Sequence, residues 1–116
     1  MLKNLEELKS VEELDQALDE SRERPVLFFK HSLTCPISTR AFSELQSYLD
    51  NADPRASYKL ITVQSARLVS DELASKLKLE HQSPQAILVQ NGRELWNASH
   101  YQITASALAE AIQNAA

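Results

Sequence analysis

Apolar residues recur along the chain at two spacings, one typical of helices and one typical of buried strands. A helical spacing follows a polar cap at Ser10, follows Pro36, and recurs in the segments that begin at Ser70 and Thr104. Short uninterrupted apolar runs, typical of strands covered on both faces, lie between these segments. The pattern predicts helices over 11–21, 36–50, 70–80 and 105–114, and strands over 26–29, 58–63, 86–89 and 94–96.

The last two predicted strands are separated by Asn91 and Gly92, a dipeptide that favours a two-residue hairpin because both positions take positive φ. The earlier strands alternate with helices, and this order favours parallel strands joined by right-handed crossovers. We therefore expect one α/β domain over 1–116, with a mixed sheet of four to five strands flanked by about four helices. Residues 1–8 are compatible with an outer strand or with a segment along the sheet edge.

Composition and charge narrow the classes of partner. The chain has 116 residues with 12 Lys and Arg against 16 Asp and Glu, so its formal net charge of -4 does not favour nucleic acid or anionic membrane. Its apolar runs are far shorter than the ~20 residues that cross a bilayer, and its acidic start does not resemble a signal peptide. A single cysteine excludes an internal disulfide and suits a reducing compartment. We expect a cytoplasmic protein that binds neither nucleic acid nor membrane, with no bound metal.

Cys35 lies where a buried strand gives way to a predicted helix. The free N–H groups and the positive dipole end of a helix favour a thiolate over a thiol. Pro36 suits the first helical position, and the polar neighbours Thr34 and Ser38 argue against burial. Ser38 follows one turn later, so its hydroxyl can donate a hydrogen bond to the sulfur. We expect Cys35 to be a nucleophile whose thiolate is stabilised by Thr34, Pro36 and Ser38.

The residue type at position 38 determines the class of reaction. A cysteine there could close a disulfide with Cys35, whereas Ser38 cannot. The sulfur of Cys35 can therefore exchange only with a sulfur from another molecule. The sequence predicts thiol transfer through a mixed disulfide on Cys35.

The stretch from Phe29 to Ser38, with Thr-Cys-Pro-Ile-Ser at 34–38, resembles the monothiol bacilliredoxins, which are redox proteins of the bacillithiol system within the thioredoxin superfamily. The resemblance extends over 5–111 and implies a thioredoxin-like fold with a cis-proline at Ser83-Pro84. It implies that Cys35 removes bacillithiol from S-thiolated cytosolic proteins, with bacillithiol as co-substrate and no bound cofactor. Ser38 takes the position at which dithiol relatives carry a resolving cysteine.

The same resemblance implies a binding site around Cys35. The backbone of Ser83, beside Pro84, would pair with the peptide-like backbone of an incoming thiol. Bacillithiol carries two carboxylates on its malate end, so cations should lie near the sulfur, and the nearest in sequence are Lys30, His31 and Arg40. Ser99 and His100 precede the last helix and are expected at the same end of the sheet.

Two other functions remain open. A glutaredoxin-like carrier would hold an iron–sulfur cluster with one cysteine and outside thiols, but such relatives carry Cys-Gly-Phe-Ser, whereas Pro36 and Ile37 follow Cys35 here. A catalytically silent interaction module could use the acidic first helix as its binding face. Replacement of Cys35 by Ser separates the module from the transferase, because only the transferase would lose turnover.

Overall fold

A mixed sheet forms the centre of the structure, a computed structural model that describes residues 4–116. Its five strands are β1 (Leu5–Glu7), β2 (Val26–His31), β3 (Ser57–Thr62), β4 (Gln85–Gln90) and β5 (Arg93–Ser99), in the spatial order β1-β3-β2-β4-β5. Its helices are α1 (Val11–Glu20), α2 (Pro36–Leu49), α3 (Arg67–Leu77) and α4 (Ala105–Ala115). Strands β1, β3 and β2 are parallel, whereas β4 and β5 are antiparallel to their neighbours. The predicted α/β class and mixed sheet are confirmed.

The segment that the sequence left open contains the outer strand β1. Leu5, Glu6 and Glu7 pair in register with Tyr58, Lys59 and Leu60 of β3. Leu5 and Leu8 are buried, so apolar burial holds this short strand to the sheet edge. Residues 1–3 of the same segment lie outside the described residues.

Helix α3 begins earlier than predicted. A start capped by Ser70 is wrong, because the helix starts at Arg67 after Ala66, and the Ser70 N–H donates to the Ala66 carbonyl at 3.1 Å. Val69 and Leu73 of α3 are both buried. The packing of Val69, which precedes Ser70, favours the earlier helix start and outweighs the preference of Ser70 for an N-cap position. No helix in the described part of the chain is long and apolar enough to cross a membrane.

The sheet separates two apolar clusters, and β2 contributes to both. Leu27 and Phe29 pack on the side of α2 and α4, whereas Val26 and Phe28 pack on the side of α1 and α3. Successive side chains of a strand point to opposite faces. The last two residues of β2 therefore continue this alternation, which places Lys30 toward α3 and His31 toward α2.

The carboxyl end of β2 brings separate segments of the chain together. Lys30 of β2 is in register with Gln85 at the start of β4, and Gln85 is in register with Ser99 at the end of β5. Ser83 and Pro84 therefore lie at the same end of the sheet as Ser99, the end at which β2 finishes. Helix α2, which follows β2 after a short loop, begins at this end.

Candidate thiol redox site

Cys35 is the N-cap residue of α2, one residue before the first helical turn. Its backbone is extended, its carbonyl accepts the Thr39 N–H at 3.1 Å, and its side chain is partly exposed. Pro36 occupies the first turn without loss of a hydrogen bond, because N–H groups of that turn have no partner inside a helix. The sulfur makes no capping bond to the helix backbone. Cys35 is therefore a partly exposed residue at the positive end of a 14-residue helix.

Ser38 is fully buried in the first turn of α2. Its hydroxyl accepts the Ser32 N–H at 2.8 Å and lies 2.7 Å from Nδ1 of His31. These two contacts tie the end of β2 and the following loop to the helix. The hydrogen bond from Ser38 to the Cys35 sulfur stays a prediction.

Gln64 holds the loop that precedes Cys35, and the sequence reasoning missed it. Its side-chain carbonyl accepts the Leu33 N–H at 3.1 Å, and its amide donates to the hydroxyl groups of Ser32 at 2.8 Å and Thr34 at 3.4 Å. The Thr34 hydroxyl is thus engaged by Gln64. Gln64 follows the carboxyl end of the parallel strand β3, a position where polar residues commonly form sites, and this was the available signal.

Lys30 does not form part of the site, so its predicted role as a ligand for carboxylates is wrong. Its side chain is fully buried on the α3 side of the sheet. There Nζ donates to the Ser70 carbonyl at 3.1 Å and lies 3.0 Å from Nδ1 of His81. Burial lowers the pKa of Lys30 to about 8, partly offset by Asp71. Strand alternation placed this lysine on the face opposite α2.

His31 lies on the α2 side but is not the expected cation. Its ring is buried and stacks on Phe42, with ring centroids 4.7 Å apart. Burial lowers the pKa of His31, so the ring is neutral at neutral pH. The structure therefore places the ring against Ser38 and not at the surface, where a ligand for carboxylates is expected to lie.

The Ser83-Pro84 peptide bond is cis, as the resemblance implied. The Pro84 carbonyl accepts the His100 N–H at 3.2 Å, which joins this loop to the segment after β5. The Ser83 hydroxyl is buried without a hydrogen-bond partner among the described residues. Ser99 precedes the short 3-10 turn His100–Gln102, and its backbone N–H donates to the Gln102 side-chain carbonyl at 3.4 Å.

Arg40 is the exposed member of the three cations considered from sequence. Its guanidinium lies over the Tyr101 ring, 5.5 Å from the ring centroid. Tyr101 follows His100, and the His100 N–H donates to the Pro84 carbonyl. Arg40 therefore extends toward the end of the sheet at which the cis-proline lies. This cation–π contact leaves the charge at the surface.

Within residues 4–116, no group of three or more His, Cys, Asp or Glu side chains is placed to hold a metal ion. A cavity of about 730 Å³ lies near the amino ends of β1 and β3, lined in part by Asp53, Ser57 and Lys59. This cavity is at the opposite end of the sheet from Cys35.

The strand order, the cis-proline and the partly exposed N-cap cysteine define a thioredoxin-fold thiol redox protein, and the chain has no second cysteine. The family model described as "Monothiol bacilliredoxin BrxC" matches residues 6–108. The chain belongs to this monothiol bacilliredoxin family.

Solved structures agree with this fold. One, described as a candidate oxidoreductase with a thioredoxin fold, is 36% identical, with a TM-score of 0.81 and 92% of each chain covered. The thioredoxin of Fasciola hepatica is 13% identical, with a TM-score of 0.75, and the match covers 96% of this chain and 99% of that one. A mutant thioredoxin from Halobacterium salinarum is 15% identical, with a TM-score of 0.75 and coverages of 99% and 94%. The two thioredoxins show likeness of fold alone.

Proposed function

We propose that the protein removes bacillithiol from S-thiolated proteins by a single-cysteine exchange. The Cys35 thiolate attacks the bacillithiol sulfur of a protein mixed disulfide. The new bond joins Cys35 to bacillithiol, and the old disulfide breaks to release the protein as a thiolate. A second thiol then attacks the bacillithiol sulfur on Cys35, so bacillithiol leaves in a new disulfide and Cys35 returns as a thiolate.

The position of Cys35 carries this proposal. Cys35 is partly exposed at the N-terminus of α2, where the positive end of the helix favours an anion. Position 38 holds a buried serine, so an internal disulfide cannot displace the small thiol from Cys35. The mixed disulfide must therefore await an outside thiol. Because a lone cysteine without a disulfide partner suits a reducing compartment, we place this activity in the cytoplasm.

The residues around Pro84 would bind the S-thiolated protein and bacillithiol. The backbone of Ser83, at the cis Ser83-Pro84 bond, would pair with the extended backbone of an incoming thiol. Arg40 is the exposed member of the three cations Lys30, His31 and Arg40, and it suits the malate carboxylates of bacillithiol. Lys30 and His31 are not part of this recognition, because both are buried.

Mass spectrometry of Cys35 tests this function. The wild-type protein is incubated with a bacillithiolated protein and, separately, with the same protein carrying glutathione. We expect Cys35 to gain the mass of bacillithiol, faster than that of glutathione, while the target regains its free thiol. The Cys35→Ser variant should leave the target modified. A wild-type protein that releases no bacillithiol from the target would refute the proposal.

A further inference from the structure

His31 is a buried titratable ring close to the reactive helix, and the transfer chemistry gives it no role. Phe42 stacks on the ring, Phe29 packs 6.2 Å away between centroids, and Nδ1 lies 2.7 Å from the Ser38 hydroxyl oxygen. Burial is the cause that lowers the pKa of His31. The neutral ring carries one proton, on either Nδ1 or Nε2.

The hydrogen bonds of Ser38 make the position of that ring proton consequential. A hydroxyl has one proton to donate and can accept two hydrogen bonds, and Ser38 already accepts the Ser32 N–H at 2.8 Å. With the ring proton on Nε2, Nδ1 is an acceptor and the Ser38 hydroxyl donates to it. With the ring proton on Nδ1, the ring donates to Ser38, and the hydroxyl proton is left free.

The candidate acceptor of the free hydroxyl proton is the Cys35 sulfur, at the N-cap of the helix whose first turn holds Ser38. Among the described residues the Ser38 hydroxyl contacts His31 and Ser32 and makes no hydrogen bond to Cys35, so the hydroxyl has to turn to reach the sulfur. We propose that His31 is a positioning residue for the reactive sulfur: the nitrogen that carries its ring proton decides whether the Ser38 hydroxyl donates to His31 or to Cys35. In the change, Nε2 releases one proton to solvent and Nδ1 takes one proton from solvent, so the ring stays neutral, and the hydroxyl turns without losing its own proton.

The direction in which the Ser38 hydroxyl donates depends on whether Cys35 is a thiol, a disulfide or a thiolate. A thiol or disulfide sulfur is a weak acceptor, so the hydroxyl turns to the ring, whereas a thiolate is a strong acceptor and draws the hydroxyl. The sulfur of Cys35 is thereby stabilised when it becomes a leaving thiolate in the second exchange. The inference rests on the proposed function only in taking Cys35 as the attacking and leaving sulfur.

Alkylation of Cys35 by iodoacetamide across a range of pH tests the inference in four proteins: wild type, His31→Phe, Ser38→Ala and the double variant. Phenylalanine retains a ring against Phe42 but removes both nitrogens. In His31→Phe the hydroxyl has lost its acceptor in the thiol state. We expect the midpoint of the alkylation profile to fall by about 0.5–1 pH unit, with roughly threefold to tenfold faster alkylation below the midpoint.

The double variant shows whether His31→Phe acts on Cys35 through the Ser38 hydroxyl or through a general change in packing. If the effect passes through the hydroxyl, adding His31→Phe to Ser38→Ala leaves the midpoint unchanged. A midpoint that does not fall in His31→Phe, or that falls equally in the Ser38→Ala background, overturns the inference. Iodoacetamide requires no S-thiolated substrate, so this outcome is independent of which small thiol the protein uses.

Long-range ¹H–¹⁵N spectra of the His31 ring provide a test that does not require the ring variants to fold. As pH rises through the range in which alkylation of wild-type Cys35 becomes fast, we expect the ring proton of His31 to move from Nε2 to Nδ1. The Cys35→Ser variant should show no such transition. A ring that keeps one tautomer throughout the wild-type transition overturns the inference.

Discussion

Lys30 and His31 are neighbours in β2, both are buried, and they serve opposite faces of the sheet. Lys30 joins β2 to Ser70 of α3 and to His81, in the loop before the cis-proline. His31 joins β2 to Ser38, in the helix that begins beside Cys35. Two side chains that the sequence presents as equivalent cations are therefore separated by the thickness of the sheet.

The comparison shows that proximity in sequence to a reactive cysteine is a poor guide to a shared site. Alternation along a strand sends every second residue to the other face. Lys30 connects β2 with α3 and with the loop that holds His81, whereas His31 contacts α2, the helix that begins next to Cys35. We therefore expect changes on the Lys30 side to affect stability and changes on the His31 side to affect thiol chemistry as well.

Lys30→Ala should have the largest effect of the changes on either side. It removes a buried side chain and leaves the Ser70 carbonyl and His81 without their donor, so we expect the free energy of unfolding to fall by about 2–5 kcal/mol. Urea unfolding measures this loss, with Lys9→Ala at an exposed lysine as the control. The folded fraction should alkylate Cys35 at nearly the wild-type rate. A tenfold change in that rate would remove the distinction between the two sides.

The charge of Lys30 should also make stability depend on pH. Its pKa of about 8 in the fold lies below the unfolded value of 10.5, so between these values the unfolded chain retains a proton that the folded chain has lost. Stability from this group therefore rises with pH across that window and is lowest below it. Urea unfolding of wild type and Lys30→Met at several pH values isolates the effect, since other titrating groups cancel. A difference between the two proteins that stays constant with pH would contradict it.

Ser38→Ala should weaken the His31 side by a smaller amount. The Ser32 N–H and Nδ1 of His31 lose a partner, which costs about 1–3 kcal/mol in the free energy of unfolding when such groups are buried. Thermal and urea unfolding measure the cost. The exposed Ser47→Ala serves as the matched control in the same helix. A loss no larger than that of the control would mean that the buried hydroxyl contributes nothing to stability.

Gln64→Ala should have the smallest effect and should act on chemistry more than on stability. Its amide holds the loop of Ser32, Leu33 and Thr34 through exposed hydrogen bonds, each worth about 0.5–1.5 kcal/mol. A looser loop should slow transfer of the small thiol to Cys35 by roughly twofold to tenfold. The transfer rate is read from the mass of Cys35 over time, and Gln64→Glu tests the amide. Unchanged rates in both variants would exclude Gln64 from the site.

Local patterns predicted much of the fold. The Ser10 and Thr104 caps each accept the expected N–H, and Asn91 and Gly92 both take positive φ in the hairpin. The pattern of buried strands was also recovered, although β2 continues to His31, two residues past its apolar run. That extension was hidden because Lys30 and His31 are polar, and their burial depends on partners distant in sequence.

The candidate site was only partly predictable. Cys35 and Pro36 could be placed at a helix start, and Ser83-Pro84 at a strand start, from nearby residues. The partners of Ser38 could not, because His31 becomes its neighbour only when β2 and α2 pack together. Gln64 was missed for the same reason, since it reaches the loop from the end of a different strand.

By itself the sequence determined a lone cysteine at a helix N-terminus, a serine one turn later, and the order of strands and helices, because these depend on residue type and short-range spacing. The tertiary structure alone decided which polar side chains face that cysteine. Burial and strand alternation sent Lys30 to one side of the sheet and His31 to the other, and neither effect can be read from a residue's own identity.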